Sequence, residues 1–327
     1  MSKSKEIDSD GSFKRQKSLF STPFGNGPKE LPVKKDRYRL IWAAPCPWSH
    51  RAVIVRQILG LEDAISLGKV DPIRPVLPHI DWAFTLDENA VDPVLNIKYL
   101  SEIYTKTDLD YSGRPTVPAV VDLKTEKVVN NDYFTLTTQF ETAWKPYHKK
   151  SAPNLYPEHL REEIDELNAT IYTDVNNGVY KCGFARSQAA YEKAYDSLFA
   201  RLEELEDRLS RQRFLHGDFI TESDIRFYVT LARFDVSYYS VFKANKKHII
   251  DFPNLWGYAR DLYTTPGFGN TTDFKAIKEH YLISARLSGV GKKEDTIIPK
   301  GPDLSGWKVA PERDHLSSST EKFLISK

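Results

Sequence analysis

The chain has 327 residues, 40% of them apolar and 12% aromatic, which is enough material for two packed domains. A formal net charge of +1 leaves no basic footprint for nucleic acid or for an anionic membrane surface. Two cysteines, Cys46 and Cys182, argue against a disulfide-built secreted scaffold; no apolar run approaches the roughly 20 residues that span a bilayer, and residues 1–6 lack a signal-peptide core, so a cytoplasmic protein is expected.

Residues 1–35 are polar, rich in Lys, Ser, Gly and Pro, and without periodicity. They predict an extended arm, with Phe13, Phe20 and Phe24 as the side chains that pin it. Residues 36–145 alternate strand and helix signals. Residues 38–42 read as a strand, 51–61 as a helix with Val53, Ile54, Ile58 and Leu61 on one face, and 65–70 as a second strand. A long insertion, 71–97, carries Trp82, and residues 95–104 read as a helix. Residues 119–122 and 127–130, joined by a turn through Lys124, read as a hairpin. Asp132 is the candidate cap of a helix that runs to Ala143. Strand, helix, strand, hairpin, helix is the thioredoxin-like order.

From residue 155 to 283 the pattern is all-helical. Leu160, Ile164, Leu167 and Ile171 form one helical stripe; Tyr191, Tyr195, Leu198, Leu202, Leu205 and Leu209 form another. Thr221-Glu222-Ser223-Asp224 reads as an N-cap with an acidic first turn, and residues 253–263 as a further helix. Residues 284–327 lose periodicity and read as a tail. The expected fold class is an α/β N-terminal thioredoxin-like domain plus an all-α C-terminal domain.

The chemistry concentrates at Cys46-Pro47-Trp48-Ser49, which joins the first strand to the following helix. Free N–H groups and the positive end of the macrodipole favour an anion at a helix N-terminus, and a thiolate is such an anion. His50 and Arg51 place further positive charge one turn on. The motif reads as a Cys-x-x-Cys whose second cysteine has become Ser49, so a disulfide formed at Cys46 must be resolved by an outside thiol.

The two-part pattern with Cys-Pro-Trp-x-His-Arg resembles a cysteine-type glutathione transferase. Further blocks sharpen the match: 175–185 (Val-Asn-Asn-Gly-Val-Tyr-Lys-Cys-Gly-Phe-Ala), Ser223-Asp224-Ile225-Arg226 through Arg233-Phe234-Asp235, and Asp273-Phe274-Lys275 to Lys278-Glu279-His280-Tyr281. They are similar to the glutathionyl-hydroquinone reductases, the Xi class, over roughly residues 12–302. The resemblance implies that the Cys46 thiolate attacks the sulfur of a glutathionyl-hydroquinone, leaving a mixed disulfide that a second glutathione releases. It implies quinone-facing catalytic roles for Tyr180 and Tyr281, Trp82 lying over glutathione, and a cis proline after Val117, whose backbone would pair with the cysteinyl unit. Arg114 would offer charge to a carboxylate, and the γ-glutamyl end would meet Asp132 and Tyr133. It also implies a homodimer.

This chain departs from the family in three places, one of them Leu282 after Tyr281, where the family tends to have His-Tyr-Tyr. Asn131-Asp132-Tyr133 stands where Asn-Glu-Ser is usual, so the co-substrate is expected to be glutathione or a related γ-glutamyl thiol such as γ-glutamylcysteine. Residues 286–295 also differ from the family's usual segment.

Blander readings stand beside these. Cys182 reads as structural; among 17 tyrosines, Tyr180 and Tyr281 taken alone are core or surface residues, and Trp82 taken alone is an anchoring aromatic. The eight histidines never take a zinc-site spacing with either cysteine, so no metal and no bound cofactor are expected. Two rival functions remain. One is a transferase or thiol-disulfide oxidoreductase of omega-like type, which a chlorodinitrobenzene assay separates from the reductase. The other is a non-catalytic binding protein, in which Cys46 would not react selectively.

Overall fold

A computed structural model describes residues 6–75, 80–284 and 296–325. The chain forms two compact units. A sheet unit comprises Ser18–Ala152 and Thr271–Pro299, and a helical unit comprises Met1–Lys17, Pro153–Asn270 and Lys300–Lys327. Each is discontinuous in sequence, whereas the pattern reading draws four contiguous segments, 1–35, 36–145, 155–283 and 284–327. The aromatic anchors account for the divided arm. Phe13 packs on Phe184 of the helical unit, with ring centroids 5.2 Å apart. Phe20 packs on Tyr104 and Tyr111, and Phe24 on Tyr38 and Trp144, all in the sheet unit. Residues 1–5 of the arm and 285–295 of the tail, including the departure at 286–295, lie outside the described residues.

In the sheet unit, β1 (Phe24–Gly25) and β2 (Leu31–Pro32) form a small parallel pair. The main sheet holds β3 (Tyr38–Ala43), β4 (Ile65–Val70), β5 (Ala119–Asp122) and β6 (Lys127–Asn130) in the order β4-β3-β5-β6. β3 runs parallel to β4 and antiparallel to β5, and β5 pairs with β6 as a hairpin. Helix α1 (Pro47–Leu59) makes the β3-to-β4 crossover; it ends at Gly60, whose φ of 72° is the left-handed conformation that glycine adopts without a Cβ penalty. All six residues of β3 are buried, so the strand reads as a continuous apolar run, interrupted by Arg39. That guanidinium is paired with buried Asp92 at 2.7 Å, and removing either partner of such a buried pair costs about 3–5 kcal/mol.

Three helix starts differ from the pattern reading, and the first is α1, which begins at Pro47, four residues before the apolar spacing shows it, because Cys46 is its N-cap. Helix α2 is Leu100–Thr107, beginning five residues later than the apolar spacing suggests. Asp92 Oδ1 accepts from the Val94 and Leu95 N–H groups and so holds that stretch as a turn. Glu102 accepts from the Tyr99 N–H at 2.7 Å and fixes the helix start. Helix α3 is Leu136–Thr142, and Asp132 does not cap it: its carboxylate closes its own turn instead.

The helical unit holds α4 (Arg161–Thr170), a π-helical turn (Ile171–Asn176), α5 (Gly178–Phe184), α6 (Gln188–Leu209), α7 (Glu222–Arg233), α8 (Tyr239–Val241) and α9 (Pro253–Tyr263). Leu198, Leu202, Leu205 and Leu209 form the buried stripe of α6. α7 is buried on every side and begins with a capping box between Thr221 and Asp224. The Asp224 carboxylate also accepts from the Leu215 N–H and the Tyr258 hydroxyl, at 2.9 and 2.8 Å. The tail is strapped to this unit. Trp307 packs edge-on against Trp256, and buried Arg313 donates to the Leu209, Gln212 and Arg213 carbonyls at 2.8, 2.8 and 3.1 Å. Helix α10 (Phe274–Glu279), capped by Asp273, and the π-helical turn His280–Ser284 belong to the sheet unit. Among the described residues, no helix is long and apolar enough to cross a membrane.

Candidate active site

The sequence after β3 builds a helix start around a cysteine. The Cys46 N–H donates to the Ala43 carbonyl at 3.0 Å, which turns the chain out of the strand. Cys46 is extended (φ −77°, ψ 116°) and is the N-cap of α1; Pro47 follows at the first helical position, where its missing N–H costs nothing. The Cys46 carbonyl takes the His50 N–H at 3.0 Å, and no side chain caps the helix. The thiol therefore sits where N–H dipoles converge, 9% exposed.

Across from it lies Val117. The Val117–Pro118 peptide is cis, as the thioredoxin-like order implies, and Cys46 Sγ donates to the Val117 carbonyl at 3.5 Å. This loop is held from behind by two fully buried groups. The Tyr104 hydroxyl donates to the Thr116 carbonyl at 2.7 Å, and Asn131 Nδ2 donates to the Tyr104 oxygen at 3.1 Å. Burial pushes the Tyr104 phenol above its ordinary range, which keeps it a neutral donor. Sequence reasoning missed Tyr104; its only signal is a tyrosine in a helix stripe.

Ser49 occupies the place of a second cysteine and is fully buried. Its hydroxyl accepts from the Ala43 N–H and donates to the Ala43 carbonyl, both at 3.2 Å. It therefore stitches α1 to the end of β3. His50 points at Thr271, with Nε2 to Oγ1 2.8 Å. Arg51 is fully buried; it donates to the Tyr133 carbonyl at 3.0 Å and its guanidinium lies 5.0 Å from the Trp48 ring centroid. Trp48 in turn packs on the Tyr133 ring at 4.8 Å. Asp132 accepts from the Phe134 N–H at 3.0 Å and the Thr135 hydroxyl at 2.7 Å. Arg114 lines a pocket of about 490 Å³ with Ser101, Thr105, Tyr111 and Ser112.

Trp82 is 5% exposed, stacked on His280 at 5.3 Å with the Arg74 guanidinium 4.7 Å from its ring centroid. His280 Nδ1 contacts the Pro72 carbonyl at 2.7 Å, and its ring meets Tyr281 edge-on at 5.0 Å. Tyr281 is thus buried in the same unit as Cys46, Trp82, Arg114, Val117, Asp132 and Tyr133. Tyr180 belongs to the helical unit. Its ring packs on Phe242 at 5.0 Å, and the arm lays Arg15 over it at 4.4 Å while Arg15 Nε donates to Asn177 at 2.8 Å. Nothing in the sequence assigns a role to Arg15, Arg74 or the His280 ring; the partners of Arg15 and His280 lie far along the chain, at Tyr180 and Trp82. Cys182 is 1% exposed, and burial pushes its thiol up to about 12. Among the described residues, no group of three or more His, Cys, Asp or Glu side chains is placed to hold a metal ion.

Comparison with known proteins places this geometry. Residues 188–261 match the family described as glutathione S-transferase, C-terminal domain. The chain is 37% identical to the glutathionyl-hydroquinone reductase YqjG of Escherichia coli (strain K12), over 90% of this chain and 93% of that protein. The glutathione-bound structure of YqjG superposes with a TM-score of 0.81, covering 93% of this chain and 98% of that one. A glutathione transferase from Gordonia bronchialis is 50% identical with a TM-score of 0.82, covering 87% of each chain. The glutathione S-transferase Xi from Phanerochaete chrysosporium is 39% identical with a TM-score of 0.83, covering 92% of this chain and 95% of that one. A thioredoxin-like sheet presenting Cys46 at a helix start, an all-helical partner unit, and full-length relatives of this kind make the chain a member of the Xi class of glutathione transferases, the family of the glutathionyl-hydroquinone reductases.

Proposed function

We propose that the protein reduces glutathionyl-hydroquinones to hydroquinones through a mixed disulfide at Cys46. The observation that supports this most is the Cys46 thiol at the start of α1, facing the Val117 carbonyl, with no second cysteine within one turn. In the first step the Cys46 thiolate attacks the glutathionyl sulfur. The carbon–sulfur bond breaks, its electron pair goes to the ring, and a proton on the ring carbon completes the hydroquinone. In the second step a glutathione thiolate attacks the glutathionyl sulfur of the Cys46 disulfide, releasing glutathione disulfide and regenerating the Cys46 thiolate. The sum is conjugate plus glutathione giving hydroquinone plus glutathione disulfide, so the conjugate is reduced and two thiols' worth of sulfur is oxidised.

Tyr281 and Tyr180 are the proposed proton donors to the quinone. Val117 is the proposed backbone partner of the cysteinyl unit, and Trp82, Arg114, Asp132 and Tyr133 the proposed surroundings of the thiol. The function is tested by turnover of glutathionyl-menadione with glutathione. Wild type is expected to consume it and Cys46→Ala to be inactive. Retained turnover in Cys46→Ala would overturn the mechanism, and chlorodinitrobenzene conjugation by wild type in its place would favour a conventional transferase.

A further inference from the structure

Asn177 is the N-cap of α5, Tyr180 lies three positions on and Phe184 four further, so the three share one face of the helix. The N-terminal arm, which belongs to the same helical unit up to Lys17, covers that face with a hairpin. Ile7 bridges Phe13 antiparallel, and the Asp8 N–H donates to the Ser12 carbonyl at 2.9 Å. At the tip, Gly11 has a φ of 86°, and a Cβ there would lie 2.8 Å from the Ser187 backbone nitrogen, so the tip fits against the start of α6 only as glycine. The Arg186 N–H donates to the Gly11 carbonyl at 2.8 Å, and the Ser187 hydroxyl to the Asp10 carbonyl at 2.7 Å.

These bonds, with Phe13 packed on Phe184, fix where Arg15 falls. Its Nε donates to Asn177 Oδ1 at 2.8 Å, and its guanidinium carbon lies 4.4 Å from the centroid of the buried Tyr180 ring. A neutral phenol attracts a cation through its ring quadrupole; a phenolate attracts it through a full negative charge as well. A contact that strengthens as the phenol loses its proton lowers the barrier to that transfer, whereas an equal hold on both states would not.

We propose that Arg15 of the N-terminal arm is a positioning residue for proton donation by Tyr180, holding the ring in place and stabilising the phenolate left behind. In the first step the Tyr180 hydroxyl passes its proton to the ring carbon of the conjugate as the carbon–sulfur bond breaks. In the second, the incoming glutathione thiol gives up its proton as it attacks the Cys46 disulfide, and that proton restores the phenol. The arm is then part of the catalytic apparatus of the helical unit. This rests on Tyr180 being a proton donor.

The test compares two reactions of the full-length protein. Turnover of glutathionyl-menadione needs a proton on carbon. Formation of the glutathionyl adduct at Cys46 from glutathione disulfide does not, because its leaving group is a thiolate. Arg15→Gln keeps a polar side chain and removes the charge. It is expected to lower kcat for glutathionyl-menadione about tenfold, the middle of the range for a desolvated cation on a ring, with KM and the adduct rate within about twofold of wild type. Arg15→Lys, which keeps the charge, should regain most of kcat. In a Tyr180→Phe background, Arg15→Gln should cost nothing further. An unchanged kcat in Arg15→Gln, with Tyr180→Phe impaired, overturns the inference and leaves Tyr180 as a donor. An equal fall in turnover and in adduct rate also overturns it and makes the arm a structural element alone. Full turnover by Tyr180→Phe overturns the donor role of Tyr180, and the inference with it.

Discussion

Ser49→Cys converts the helix start into a two-thiol motif and asks whether the missing second thiol is what makes this chain depend on an external one. Ser49 is one turn after Cys46, and residues so spaced on a helix have Cβ atoms about 5–6 Å apart. A disulfide needs roughly 3.5–4.5 Å, and the extended conformation of Cys46 at the N-cap gives it the freedom to close that gap. Neighbouring groups on one short segment meet at an effective concentration of at least about millimolar. Against glutathione at about 0.1 mM, the internal thiol therefore wins by about tenfold or more. Wild type treated with glutathione disulfide should accumulate one glutathionyl adduct, at Cys46, visible by intact-protein mass spectrometry. The variant should lose that adduct and gain an internal disulfide, and its turnover should fall to about one tenth or less unless a dithiol reductant is supplied. Ser49→Ala is the control. It removes the bonds to the Ala43 N–H and carbonyl, each 3.2 Å, which costs about 1–3 kcal/mol of stability, yet it should keep the adduct. A persistent adduct in Ser49→Cys would refute the placement of the two side chains on one helical turn around the reactive sulfur.

Arg313→Ala should lower the melting temperature by about 6–10 °C in a thermal shift assay. It removes the donor to two buried carbonyls and one half-buried one at and beyond the end of α6, a cost of about 3–5 kcal/mol at roughly 2 °C per kcal/mol, and a shift under about 2 °C would show the tail strap to be dispensable. At pH 8, iodoacetamide should modify one cysteine of the native protein, Cys46, because burial pushes Cys182 up to about 12; labelling of Cys182 before unfolding would contradict its packing. Burial, with Arg208 adding repulsion, pushes His216 down to about 4. The unfolded chain therefore binds that proton first, and this stability is full above about 6.5 and lost as pH falls from there towards about 4. His216→Gln should flatten that part of a denaturant-midpoint-against-pH curve, and an unchanged slope would remove His216 as its cause.

The parts of the fold legible in the sequence are those where one side chain's environment is set by its near neighbours. β3 is buried along its whole length, so it reads as an apolar run, and the β3-α1-β4 crossover follows from spacing alone. The capping box of α7 was readable because its partners, Thr221 and Asp224, are three residues apart. Asp132 failed by the same logic: an acidic residue before an apolar run reads as a cap, but a nearer competitor, the turn it closes on Phe134 and Thr135, took the carboxylate first. The site divides in the same way. Cys46 is legible because a helix N-terminus is a local device, and Val117 because the proline that follows it marks the loop. What surrounds them is not. His280 on Trp82, Arg15 on Tyr180 and Asn131 on Tyr104 pair groups distant in sequence, and nothing local distinguishes a histidine that stacks from one that does not. Tyr133 shows the consequence most plainly. As a letter it is only a substitution for serine; in the fold its ring lies against Trp48, two residues after Cys46, and its carbonyl is tied to Arg51, so its surroundings are set by side chains about 80 positions away in the chain.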